Sequence, residues 1–137
     1  MTEETVALPS VMALAYLGDA EYAVFVRRML VDEGISHPGE LNRRSLAYVT
    51  AERQAAVMHR LLEHLTEDEL DVFRRAKNHT HLNRPKHASV MDYRYATGLE
   101  AVLGMRSYRG ERARLCELLA LCRTITHTLE REGTQQT

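Results

Sequence analysis

Two carboxylates stand where carboxylates are costly. Asp19 lies in Leu14-Ala15-Tyr16-Leu17-Gly18-Asp19-Ala20, and Glu100 lies in Gly98-Leu99-Glu100-Ala101-Val102-Leu103-Gly104. Both runs are otherwise apolar and both carry glycine. A carboxylate among apolar neighbours costs several kcal/mol unless it is paired, hydrogen-bonded or bound to a cation. Gly18 adds about 1 kcal/mol against alanine in a helix interior. Two broken local rules at adjacent positions mark a place where function overrides propensity. Two carboxylates converging from two helices, completed by water, are a common protein contribution to a Mg²⁺ site, since Mg²⁺ takes hard oxygen ligands and keeps several waters. Such an ion polarises a phosphodiester and lowers the pKa of an attacking water. Two plainer readings stay open: a capping or salt-bridged Asp19 at a helix bend, and a Glu100 paired with a buried arginine such as Arg94 or Arg106.

A second feature is basic. No Asp or Glu lies between Val72 and Met91, and that window holds Arg74, Arg75, Lys77, His79, His81, Arg84, Lys86 and His87. From Asn78 to Val90 there is little periodicity, and Pro85 breaks any helix. The stretch reads as a loop longer than most helix connections, which favours a working role. Phosphate contact is the reading preferred here, with a solvated surface as the alternative. Arg43 and Arg44 supply a candidate second patch. His79, His81 and His87 raise the question of zinc, but no cysteine or nearby carboxylate accompanies them.

The elements that must position these groups are all helical. Ser10 is a candidate N-cap for a helix running to about Asp32, with Gly34 as its stop. Its nearly all-round apolar character predicts a central helix, covered on most sides. After the turn at Ser36-His37-Pro38-Gly39, a short helix spans about Glu40 to Tyr48. Thr50 caps the next, from about Ala51 to Leu65. Thr66-Glu67-Asp68-Glu69 is a capping box for a helix ending near Lys77. Ser89, with Asp92 three residues on, starts a helix from about Val90 to Tyr108. Gly110 breaks the pattern before a last helix from about Glu111 to Glu130, leaving Gly133–Thr137 as a polar tail. No segment alternates with period two, so the fold class is all-α.

The 137 residues suit one domain with a core over about 9–130. A formal net charge of -1 excludes coating nucleic acid by bulk charge, but not a local basic patch. Cys116 and Cys122 lie six apart on one helix, on different faces, so they read as reduced packing residues of a cytosolic protein. No run of eighteen uncharged apolar residues predicts a membrane span. The acidic start, Met1-Thr2-Glu3-Glu4, lacks a signal-peptide pattern. The first helix has more apolar surface than one small domain covers, which predicts a symmetric dimer.

The run Leu14-Ala15-Tyr16-Leu17-Gly18-Asp19-Ala20 resembles the signature helix of ribonuclease III, usually Leu-Glu-Phe-Leu-Gly-Asp-Ala or -Ser. Leu99-Glu100-Ala101-Val102-Leu103-Gly104 resembles that family's second motif, Asp-x-x-Glu-Ala-x-x-Gly. Together with Arg75-Ala76-Lys77-Asn78, Pro85-Lys86 and Tyr93-Arg94-Tyr95, the likeness covers about residues 9 to 127. It is nearest to Mini-ribonuclease III, the stand-alone catalytic form without a double-stranded-RNA-binding domain. Two acidic positions of full-length ribonuclease III are here Ala15 and Thr97, losses typical of the Mini form. They put a two-metal site with four carboxylates in doubt.

The resemblance implies a Mg²⁺-dependent endoribonuclease that cuts double-stranded RNA as a homodimer, one strand per protomer. It implies in-line attack of metal-activated water, leaving a 5′-phosphate and a 3′-hydroxyl. Its substrate would be the ends of the 23S (large-subunit) ribosomal RNA precursor, in the cytoplasm, with a large-subunit ribosomal protein as helper. Asp19 and Glu100 carry over as catalytic and metal-binding residues. Arg75, Lys77, Asn78, Arg84, Lys86 and Arg94, with Arg43 and Arg44, are the candidate RNA contacts. The rival class is a non-catalytic RNA-binding or ribosome-assembly factor on the same fold, which would have no need to keep both carboxylates. A third reading, a helical Mg²⁺-dependent nucleotide hydrolase, is opposed by the long basic loop.

Overall fold

Ser10 accepts from the Ala13 backbone N–H at 3.1 Å and starts α1, Val11–Asp32. The structure is a computed structural model and describes residues 7–79 and 89–135. Pro38 occupies the first turn of α2, Pro38–Val49, where its missing N–H is harmless. His37 Nδ1 accepts from the Gly39 N–H at 3.2 Å, so the expected start at Glu40 moves back two residues. Thr50 caps α3, Ala51–Leu61. A single 3₁₀ turn, Leu62–His64, takes the place of the expected last helical turn. The Thr66–Glu69 capping box opens α4, Glu67–Lys77. Ser89 caps α5, Val90–Tyr108. The last helix, α6, spans Arg112–Gln135 and runs through Gly133, past the expected end at Glu130. Tyr48 Oη donates to Glu130 at 2.9 Å, and Arg60 holds Glu132 through two 2.6 Å bonds, so α2 and α3 fasten the end of α6. All described elements are helical, as the sequence predicts.

The central helix is α5, not α1. Every residue from Ala96 to Leu99 and from Ala101 to Arg106 is buried, and α5 packs against α1, α3, α4 and α6. Helix α1 is covered on one side only. Its Leu14, Tyr22, Val26, Met29 and Leu30 enter the core, while Tyr16 is 85% exposed and Val24 and Val31 more than half exposed. The expectation of a helix covered on most sides is therefore corrected. An apolar face left in solvent and an apolar face in the core are written with the same residue types.

Glycine sets how closely α1 and α5 approach. A Cβ on Gly18 would lie 1.6 Å from the Glu100 carbonyl oxygen, and one on Gly104 would lie 1.8 Å from that of Leu14. The two backbones touch where no side chain fits.

A buried charge cluster ties three helix ends together. Glu69 is fully buried and accepts from Arg106 Nε at 2.8 Å and from Arg114 Nε and Nη2 at 2.9 and 2.8 Å. Arg106 also bonds Glu111 and Asp68, each at 3.0 Å. Burial alone would raise the Glu69 carboxyl, but bonds from Arg114, the Thr66 N–H and Arg106 outweigh it and hold the group at about 2. A depressed folded pKa gives stability that is full above the unfolded value, near 4.5, and is lost as pH falls toward about 2. This contribution is on the order of 3 kcal/mol. Thermal melts from pH 5 to pH 2 are expected to show that loss. Glu69→Gln is expected to lower stability at pH 7 and to flatten the acid limb.

Candidate active site

Asp19 and Glu100 meet where the glycines bring α1 and α5 together. Gly18 precedes Asp19 and abuts Glu100's own carbonyl, so the closest backbone approach fixes the two carboxylates side by side. Burial first, then the neighbouring Asp19 carboxyl and its like charge, push Glu100 up to about 9. Asp19 itself is exposed, which corrects its expected place inside an apolar run. The costly carboxyl is Glu100, and Asp19 stands at the mouth.

Neighbouring residues brace the pair. Glu21 accepts from Ser107 Oγ at 3.1 Å and from Arg112 at 3.0 Å, tying α1 to α5 and α6. Tyr22 is buried against the site; burial and then Cys122 push its phenol up, Arg53 opposes, and Glu100 adds to the rise. The sequence does not announce the roles of Glu21 and Tyr22, because contacts between residues far apart in the chain leave no local pattern. The two positions where ribonuclease III usually carries acids are closed: Ala15 is buried, and buried Thr97 turns its hydroxyl to the Tyr93 carbonyl at 2.9 Å.

The arginines proposed as partners of Glu100 are engaged elsewhere. Arg106 belongs to the Glu69 cluster, and Arg94 Nη1 donates to the Lys77 carbonyl at 2.7 Å. That last bond closes the end of α4 onto the start of α5. Beside it, Tyr95 stacks on His59 with centroids 3.9 Å apart and meets Phe73 edge-on at 5.3 Å. Lys77 Nζ lies 5.8 and 5.6 Å from the Phe73 and Tyr95 rings.

The candidate RNA contacts are scattered in their partners. Arg75 pairs with Asp71 at 3.6 Å, and Asn78 ends α4. Arg43 pairs with Glu40, and Arg44 with Glu33 at 3.2 Å, all on or beside α2. Arg84, Lys86, His81 and His87 lie outside the described residues. Among the described residues no group of three or more His, Cys, Asp or Glu could hold a metal ion. Cys116 is exposed rather than packed, while Cys122 is fully buried and its thiol is pushed up to about 12. No helix among the described residues is long and apolar enough to cross a membrane.

A helical domain with a carboxylate pair at a glycine-locked crossing matches one family along most of its length: the Ribonuclease III domain aligns with residues 12–109. A Fusobacterium nucleatum protein of known crystal structure has a similar fold, with a TM-score of 0.73 at 28% identity over 84% of this chain and 92% of that one. Mini-ribonuclease 3 of Symbiobacterium thermophilum is 44% identical over 108 residues, 79% of this chain and 83% of that protein. That of Thermoanaerobacter sp. is 37% identical over 121 residues, 88% and 85% of the two chains. The chain belongs to the Mini-ribonuclease 3 family and is a ribonuclease III-type endoribonuclease.

Proposed function

We propose that the chain cleaves double-stranded RNA with Mg²⁺, using Asp19 and Glu100 as the acidic pair. The observation that carries this reading is their convergence at the Gly18–Gly104 crossing in a chain of this family. The donor set fits Mg²⁺: two hard carboxylates leave most positions to water and substrate phosphate, whereas a closed zinc cage needs more protein ligands. When bound there, the ion would polarise the scissile phosphodiester and lower the pKa of a water ligand.

The chain's own groups do the rest. Asp19 presents oxygen at the open edge of the site. Glu100 would have to release its proton to solvent before it could hold a cation, so metal affinity would rise with pH. The α1–α5 contact holds the two carboxylates at fixed separation, and Glu21 keeps α1 from turning. A non-catalytic binder has no use for this arrangement. Long double-stranded RNA incubated with and without Mg²⁺ tests the reading. Fragments with 5′-phosphate ends only in the presence of Mg²⁺ support it, and intact RNA in both refutes it. The physiological substrate we infer is the paired end region of the large-subunit ribosomal RNA precursor, acted on in the cytoplasm with a ribosomal protein's help. Accurate trimming of such a precursor transcript checks this.

The acid-free window supplies the backbone contacts in this reading. Paired RNA is recognised through shape, phosphates and 2′-hydroxyls, and a net charge of -1 requires those contacts to be local. Changing Arg84 and Lys86 together to alanine is expected to weaken binding and to preserve hydrolysis at saturating RNA. Each lost phosphate contact lowers the salt slope by roughly one or somewhat less. An unchanged dissociation constant and slope would move the RNA surface elsewhere.

A homodimer completes the proposal. Tyr16, Val24 and Val31 put large apolar groups in solvent along α1, and a second copy is the simplest cover for such a face. Light scattering at micromolar concentration is expected to give twice the chain mass of 15.7 kDa. A monomer there defeats it.

A further inference from the structure

We propose that Tyr93 contacts the RNA backbone at a nucleotide next to the scissile phosphate, its phenol donating a hydrogen bond to a phosphate oxygen or a ribose 2′-hydroxyl. This rests on the reading of Asp19 and Glu100 as the cleavage site.

The argument begins with the Tyr93-Arg94-Tyr95 tripeptide, whose members have different duties. Arg94 is spent on the Lys77 carbonyl at the end of α4. Tyr95 is held between His59, Phe73 and Lys77, on the side of α5 that meets α3 and α4. Tyr93 shares neither role. Its backbone carbonyl accepts from Thr97, but its hydroxyl has no partner among the described residues. Tyr93 is partly buried, so its ring is steadied while part of the side chain stays open to solvent.

Register decides where that end lies. Tyr93 and Glu100 are seven positions apart on one helix, which places them within about 20° of the same line. At 1.5 Å per residue the separation along the axis is about 10 Å. The same line continues to Ser107, which bonds Glu21 of α1. Tyr93 therefore stands on the edge of α5 that carries the carboxylate pair. It lies two turns toward the helix start, where the Arg94–Lys77 bond brings the end of α4 against α5. A strand with its phosphate at Glu100 that runs toward Lys77 and Asn78 at the end of α4 passes the phenol. A tyrosine is suited to the place, because it donates a neutral hydrogen bond and brings no charge that would compete with the carboxylates for a cation.

The test compares Tyr93→Phe with Tyr95→Phe on a double-stranded RNA substrate, with melting temperature as a check on folding. Removing one neutral hydrogen bond is expected to raise the dissociation constant and KM of Tyr93→Phe roughly 3- to 10-fold. Its kcat at saturation stays within about twofold, and Tyr95→Phe matches wild type. A duplex with 2′-deoxynucleotides around the cut separates the two acceptors. If the 2′-hydroxyl is the acceptor, wild type loses the same factor on that duplex and Tyr93→Phe loses nothing more. If a phosphate is the acceptor, the two losses multiply. Tyr93→Phe binding and cutting as wild type does overturns the proposal and leaves the cleavage site standing. A wild type that does not cut overturns the cleavage site, and this inference with it.

Discussion

Asp19→Asn is expected to slow RNA cleavage by about 10³-fold or more while the helices and melting temperature stay as they are. Asparagine keeps the shape and loses the charge that, on the proposed reading, would hold a dication. Several kcal/mol of transition-state stabilisation go with that charge, and about 4 kcal/mol is three decades in rate. Because Asp19 is exposed, its neutralisation relieves no buried charge and brings no gain in stability. Glu100→Gln is expected to show the same loss of rate. Without a cation Glu100 holds its proton at neutral pH, so glutamine replaces a group already uncharged. Single-turnover cleavage of labelled duplex measures both, and a wild-type rate in either variant removes that residue from the catalytic pair.

The second large effect is structural. Gly104→Ala is expected to cost about 3 kcal/mol or more, a fall in melting temperature of roughly 10 °C. The added methyl would lie 1.8 Å from the Leu14 carbonyl oxygen, which belongs to a backbone and cannot swing aside. Alanine's intrinsic helix preference over glycine, about 1 kcal/mol, acts in the opposite sense and is too small to compensate. The helices must separate, and Asp19 then leaves Glu100, so cleavage falls as well. Gly133→Ala is the control: nothing lies within 4 Å of its Cβ position in α6, and the change is expected to be neutral or slightly stabilising. Equal melting temperatures for the two variants would show that the crossing tolerates a side chain.

Much of this arrangement is legible in the sequence. Ser10, Thr50, Thr66 and Ser89 each announce a helix start by local chemistry, and each accepts the bond expected of a cap. The glycines beside Asp19 and Glu100 marked the two runs as exceptional. Other features carry no local signature. The pattern of α1 does not reveal which face stays uncovered, and so does not show that Asp19 lies at the surface. Glu69 reads as one half of a capping box, which it is, and nothing nearby announces bonds to Arg106 and Arg114. Gly133 reads as the start of a tail because the residues that hold it in a helix, Tyr48 and Arg60, belong to distant elements.

The glycine crossing also bears on synthesis. Asp19 leaves the ribosome with α1, and Glu100 follows only when α5 has been made, roughly 4–16 s later at ordinary translation rates. Until then the groove around Gly18 has no backbone to fill it, and the core face of α1, with Leu14, Tyr22 and Met29, lacks its main packing partner. A nascent chain at that stage has no carboxylate pair and, on the proposed reading, cannot cut the RNA around it. It also shows apolar surface on both sides of its first helix. On the proposed reading, the same close contact that builds the site thus keeps the chain inactive until α5 is made, late in its own translation.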